Sequence, residues 1–235
     1  MHPNPKTKTS KLPFVFLNVA MTADGKLAPA NRHFMPFGSK RDQDLLLELR
    51  TRADAVMSGA RTVDLNPVKL GPGAAKYREM RRQRGLAEYN LRIIVSGGGS
   101  VDPRAEIFKH RFSPIIILST ERAEKKLKQL RSVADEVKIC GEKEIDFVLA
   151  CEWLRVQWKV KSLLCEGGGE VNDGLFRAGV VNEIYLTLCP LIFGGRDAPT
   201  LADGEGVARL ADATRLKMKS LKRCGDELFL VYEVL

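Results

Sequence analysis

A chain of 235 residues with 44% apolar side chains can bury a substantial core as one large domain, and none of its apolar runs is long enough to span a membrane. Its formal charge of +9 favours acidic partners, phosphorylated small molecules or nucleic acid, although a basic surface also serves solubility. Five cysteines without a CxxC pair, and three histidines remote from one another and from any cysteine, argue for reduced core thiols in the cytoplasm and against a metal site or disulfide framework.

Residues 1–13, rich in Pro, Lys and Thr, read as a flexible basic leader, and 14–235 as a single domain. The run 14–20, FVFLNVA, is β-rich and almost wholly apolar, as a central strand covered on both faces should be. It opens into a loop rich in Gly, Pro and Asn, where Lys26 places a cation at the strand's exit. Ser39 can cap a helix running to about Thr51, with Asp42 and Asp44 in its first turns and Leu45, Leu46 and Leu49 on its buried side. Arg50 closes that helix, where the dipole alone favours a cation. Residues 53–58 form the next strand, and Gly59-Ala60-Arg61-Thr62 turns out of it at the edge where open α/β sheets bind ligands.

Arg78, Arg81, Arg82 and Arg84 read as a solvated helix face, since no aromatic repeat accompanies them as in a nucleic-acid groove. A strand at 91–95 precedes Ser96-Gly97-Gly98-Gly99-Ser100, and because Asp102-Pro103 follows instead of a helix start, that glycine run reads more as a flexible connector than as a phosphate cradle. Then come a strand at 115–118, a charged helix from near Thr120, a short strand at 137–140, and an amphipathic helix over 145–158 with Val148, Leu149 and Leu154 inward.

The stretch 162–193 carries most of the functional information. Its apolar strand at 163–165 stops at Glu166, Gly167-Gly168-Gly169 frees the backbone to turn, and a helix begins near Glu170. Without Cβ atoms such a loop can bring several N–H groups against a diphosphate, and the helix N-terminus behind it adds partial positive charge. Glu166 would repel that anion, so either its carboxylate turns away toward a substrate or the loop is a plain strand-to-helix turn. Beyond Gly194, Lys217, Lys219 and Lys222 alternate with apolar residues as in a sheet with one wet face, and Gly225-Asp226 marks a hairpin turn. Alternating strands and helices closed by an antiparallel pair imply a three-layer α/β/α domain with a mixed, mainly parallel central sheet.

Taken together, VAMTADGKLA, LRTRADAVMSGARTV, LLCEGGGEVNDGLFRAGVVNEIYLTLCPLIFGG and GDELFLVYEVL resemble the pyrimidine reductase of riboflavin biosynthesis, a family with the dihydrofolate-reductase-like fold. The resemblance implies an NADPH-dependent oxidoreductase, homodimeric, that reduces the ribosyl chain of 5-amino-6-(5-phosphoribosylamino)uracil, or its diamino counterpart, to ribityl. The deaminase often fused to such reductases is missing, as the chain has no HxE or PCxxC motif. By position, the resemblance implies cofactor contacts from Ala20, Thr62, Asn66 and Ser96 and from Gly167, Gly168, Gly169, Glu170, Val171, Asn172 and Gly174, with Arg61 a donor for the 2′-phosphate. On the substrate side it implies Lys26, Arg50, Leu70 and Glu166, with Lys26 and Glu166 beside the reacting carbon and Arg50 on the phosphate or ribose.

Four departures from the family pattern stand out. Asn66 replaces the aspartate of TVxxDxP, Pro67 is displaced by one residue, the arginine usual after Leu70 is missing, and Phe34-Met35-Pro36-Phe37 replaces an S-x-W element. All lie on the substrate side, which keeps a same-fold reductase of another small molecule as the alternative. The net charge alone favours a basic nucleic-acid-binding protein.

Overall fold

A computed structural model describes residues 11–32 and 36–235; the expected leader up to residue 10, and Phe34 and Met35 of the departing segment, lie outside the described residues. The apolar run FVFLNVAMT forms β1 (Phe14–Thr22), whose residues alternate between faces: Val15, Leu17 and Val19 enter one core cluster and Phe16 the other. β1 lies between β6 (Ser162–Cys165) and β7 (Val181–Cys189), parallel to both. β2 (Ala55–Gly59), β3 (Leu91–Val95), β4 (Ile115–Ser119) and β5 (Glu136–Ile139) extend the parallel part beyond β6, while β9 (Glu227–Val234) and β8 (Leu216–Cys224) add antiparallel strands beside β7. The order across the sheet is β5-β4-β3-β2-β6-β1-β7-β9-β8.

Helices cover both faces, so the middle strands are buried on both sides and need no polar alternation. On one face α5 (Phe147–Gln157) and α6 (Gly169–Arg177) contribute Leu154, Val171 and Leu175 to the core. On the other, α1 (Lys40–Arg50), α2 (Ala60–Leu65) and α4 (Glu124–Arg131) contribute Leu49, Val63 and Leu127. The expected three-layer architecture with its mixed, mainly parallel sheet is therefore present. Among the described residues no helix is long and apolar enough to cross a membrane.

Several local expectations are corrected. In α5 the buried stripe is Phe147, Ala150, Cys151 and Leu154, whereas Val148 and Leu149 are 39% and 42% exposed. Asp146 caps this helix by accepting from Leu149 N at 2.9 Å, so the helix starts two residues later than expected and Phe147 sets its phase. β8 does not have one dry face: Leu216, Met218 and Leu221 are exposed, as is Cys224, while the other four thiols are buried.

The third correction concerns Arg81 in α3 (Ala75–Gln83), which has no exposed surface at all. Its Nε donates to Ala87 O at 2.8 Å, and its Nη1 donates to Arg50 O at 2.5 Å and Ala53 O at 2.6 Å. The last carbonyls of a helix have no partners within it, so this guanidinium caps α1 and ties it to the strand that follows. Burial pushes its pKa down to about 10, which leaves it charged at neutral pH. Arg84 donates to the Thr51 hydroxyl beside it, while Arg82 pairs with Glu79 and Glu88 at the surface.

Arg81→Met would take the donor from three carbonyls, of which the Ala53 contact is fully buried, and stability should fall by about 2 kcal/mol. Urea unfolding measures this directly; a loss below about 1 kcal/mol would assign Arg81 no structural weight.

Candidate active site

A cavity of about 1070 Å³ opens at the C-terminal ends of β1, β2, β3 and β6. The chain passes from β1 to β2 while β6 fills the place between them, so the loops leaving neighbouring strands diverge and open a crevice at that edge.

One wall is backbone. Gly167 and Gly168 have φ of 88° and 75°, values that favour glycine, and Gly168 is the N-cap of α6 without any side-chain cap. The first N–H groups of α6 therefore have no capping side chain from the N-cap position. Gly59 N donates to Gly167 O at 3.0 Å, which binds this turn to the end of β2. A Cβ on Gly169 would lie 2.4 Å from Asp203 Oδ2 and 2.6 Å from Thr200 O, so the loop over residues 200–203 closes onto bare backbone. Thr62 stands over the turn, its hydroxyl 3.6 Å from where a Gly168 Cβ would be.

The run read as a connector belongs to the same wall. Ser96, Gly97, Gly98 and Ser100 line the cavity, and Gly97 O accepts from the Thr120 hydroxyl at 2.7 Å. Arg122, which the sequence reading did not single out, lies across it: a Cβ on Gly97 would be 3.6 Å from its Nη2. Among the described residues its guanidinium has neither a hydrogen bond nor an ion pair. Position was the available signal, since Arg122 follows β4 directly at the sheet's ligand edge.

The inner end is charged. Arg50 Nε donates to Glu166 Oε1 at 2.5 Å, Nη2 to Oε2 at 2.6 Å, and Nη1 to Gly71 O at 2.6 Å. Both side chains of this two-pronged pair are nearly buried, at 12% and 10% exposed. Leu70 is buried at φ 52°, and its carbonyl accepts from Asn90 Nδ2. Near α1's start, Glu227 accepts from Ser39 N at 2.6 Å and from Ser39 Oγ at 2.5 Å, while Ser39 Oγ accepts from Asp42 N. Burial pushes the Asp42 carboxyl above the usual carboxylate range, opposed by the Thr187 hydroxyl and reinforced by Glu227.

The other expected site residues fall as follows. Ala20, Thr62, Asn66 and Ser96 line the cavity, Asn66 with its amide turned to Thr62 O at 2.7 Å. Arg61 and Glu170 line it too but pair with each other at 2.9 Å, an exposed contact worth ~0–1 kcal/mol. Val171 and Gly174 line it, whereas Asn172 lies behind, donating to Leu201 O at 2.8 Å and accepting from the Cys165 thiol. Lys26 is not part of the cavity wall: its Nζ reaches the Ala198 carbonyl at 3.4 Å, and its backbone bridges to Thr200. The structure thus brings Arg50, Leu70 and Glu166 together without Lys26. Asn18, Asp42 and Arg122 are cavity residues that the sequence reading left without a ligand role.

Comparison with known proteins matches residues 13–230 to the RibD C-terminal domain. The 2,5-diamino-6-ribosylamino-4(3H)-pyrimidinone 5′-phosphate reductase of Methanothermobacter thermautotrophicus is 32% identical over 94% of this chain and 98% of its own. The enzyme of the same name from Aquifex aeolicus is 30% identical over 94% and 96%. Among solved structures, a pyrimidine reductase-like protein from Corynebacterium diphtheriae superposes with a TM-score of 0.76 at 22% identity, covering 95% of this chain and 92% of its own. Acinetobacter baumannii RibD gives 0.75 at 17% identity over 96% of this chain, which spans 59% of that longer protein. These structural likenesses establish the fold.

A double-mutant cycle across Arg50→Ala and Glu166→Ala should return a coupling of about 1.5–3 kcal/mol in unfolding free energy, given the two-pronged geometry and low exposure. Additive single-mutant effects would mean that the pair does not act as a unit.

Proposed function

This chain belongs to the RibD C-terminal domain family, and we propose on that footing that it is an NADPH-dependent reductase of riboflavin biosynthesis. Its substrate would be 2,5-diamino-6-ribosylamino-4(3H)-pyrimidinone 5′-phosphate, as named for its relatives, or the deaminated uracil counterpart. The observation that carries this reading is the joining, in one cavity, of a backbone anion cradle to a charged inner end at Ala20, Arg50 and Glu166.

The residues fit a dinucleotide. The clash a Cβ on Gly169 would cause, and the uncapped start of α6, suit a diphosphate held by main-chain N–H groups. Thr62 and Asn66 flank that position from α2. Ser96, Gly97 and Arg122 form the far end, where an unpaired guanidinium suits the 2′-phosphate that distinguishes NADPH. Arg61 can join it by giving up its exposed contact with Glu170. When bound, a reduced nicotinamide would supply the hydride to C1′ as the ring C1′–O4′ bond opens, with O4′ taking a proton to become a ribityl hydroxyl.

The chain's own task is to hold the substrate and manage the charge that develops on it. Arg50 spends its Nε–H and one N–H of each terminal nitrogen on Glu166 and Gly71, which leaves one N–H on each for a phosphate or ribose oxygen. Glu166, fixed in orientation by Arg50, can accept from substrate hydroxyl or amino groups with its remaining lone pairs. Lys26 is proposed to swing from the Ala198 carbonyl toward the ribose chain and stabilise the developing charge. Lys26→Ala should then slow single-turnover hydride transfer by about 10²-fold. An unchanged rate would leave Lys26 as a loop anchor at its bridge to Thr200.

The exposed apolar residues Leu216, Met218 and Leu221 on β8 suit a second copy of the chain, so a homodimer is proposed, for sedimentation to test. Four buried, unpaired thiols are in keeping with a reducing cytoplasm.

Oxidation of NADPH dependent on either pyrimidine tests the activity; no turnover of both would refute it. Arg122→Ala should raise the Kd for NADPH about tenfold and leave that for NADH unchanged. Equal losses for the two cofactors would remove Arg122 from the 2′-phosphate.

A further inference from the structure

Beside Ala20, the cavity holds buried acceptors with nothing to accept. Asn18 Oδ1, Asp42 Oδ1 and Thr187 Oγ1 are all shut off from solvent and lack a hydrogen-bond partner. Asn18 and Asp42 line the cavity. Asn18 and Ala20 share a face of β1, and the register between β1 and β7 sets Thr187 against Ala20. The Thr187 hydroxyl lies near enough to the Asp42 carboxyl to ease its ionisation without completing a hydrogen bond to it, so these residues form one wall. Buried polar groups are ordinarily paired, and orphans gathered in a cavity mark where a ligand completes the bonding.

The wall's chemistry restricts that ligand. The groups facing Asp42 from neighbouring elements are Glu227 of β9 and the Cys189 thiol of β7, and neither is a cation. On its own helix Lys40 is turned to Asp44 and Arg41 to Glu48. The Ser39 hydroxyl is committed to Glu227. No side-chain donor among the described residues therefore completes a hydrogen bond to Asp42 Oδ1, and the wall calls for N–H groups from the ligand.

We propose, resting on the reductase reading above, that Asp42 with Asn18 determines base specificity, its carboxylate receiving the adjacent N3–H and 2-amino N–H of a 2-amino-4-pyrimidinone ring. Two parallel donors on the ring match the two oxygens of a carboxylate. In the uracil form a carbonyl oxygen replaces the 2-amino group, setting an acceptor against an acceptor beside the still-favourable N3–H. The protein then selects the diamino substrate by leaving the uracil form one bond short and one repulsion worse.

The test compares 2,5-diamino-6-ribosylamino-4(3H)-pyrimidinone 5′-phosphate with 5-amino-6-(5-phosphoribosylamino)uracil, by kcat/KM with NADPH and by Kd in the presence of NADP⁺. Wild type should favour the diamino compound at least about tenfold in both measures. An asparagine amide offers one donor and one acceptor, which match the uracil O2 and N3–H. Asp42→Asn should therefore abolish or invert the preference, mainly through KM and Kd, with NADPH affinity unchanged. A merely structural Asp42 would lower both substrates alike. Parity in wild type, or an unaltered ratio in folded Asp42→Asn, overturns the proposal while leaving the reductase reading intact. If the variant does not fold, the wild-type ratio decides alone. Turnover of neither compound by wild type overturns the reductase reading and this proposal with it.

Discussion

The two-pronged pair between Arg50 and Glu166 joins elements that are remote in sequence, the end of α1 and the end of β6. Its geometry depends on support from beneath. Arg81 holds the Arg50 carbonyl, and Glu166 N donates to Met57 O at 2.9 Å, so each partner's backbone is fixed before the side chains meet. The pair in turn sets where the glycine turn begins, because Gly167 follows Glu166 directly and is clamped by Gly59 N. A shift at any of these points would move cradle and carboxylate together, and ligand placement to within an ångström rests on such over-determination.

That arrangement also keeps opposite charges apart within one cavity. At the outer wall, helix start, main-chain N–H groups and Arg122 collect positive potential. At the inner end Glu166 is neutralised by Arg50, and Asp42 sits against Glu227 with no cation among the described residues to offset it. An elongated ligand with a polyanionic tail and a donor-rich head would find a complementary field along its length.

Much of this was legible in the sequence. The apolar run 14–20 announced a doubly covered strand, and Gly167-Gly168-Gly169 between strand and helix announced the turn, because both depend on local chemistry. What escaped the sequence was tertiary. Arg81 has the same spacing from Arg78 and Arg82 as a surface arginine would, and its burial is decided by the carbonyls of α1 and Ala53. Asn18, Thr187 and Asp42 lie on two strands and a helix, and their common wall exists only once β1 and β7 pair. The phase of α5 was recoverable: Asp146 is a strong cap, and placing the helix start after it would have turned Phe147 inward and Val148 out. The run 96–100 looks like a connector in the sequence because no helix follows it directly, whereas its place at the ligand edge comes from β3 and the arginine after β4.

The distribution of thiols has a practical side. Burial pushes Cys151, Cys165 and Cys189 up to about 12 and Cys140 to about 11, so none of them offers appreciable thiolate at neutral pH. Cys224, at the end of β8, is the one thiol that a single copy of the chain leaves open to a maleimide. A fluorophore or spin label would therefore attach at a single known place in the unmutated protein, on the outer ribbon and clear of the cavity, and would report on that ribbon without any cysteine having to be removed first.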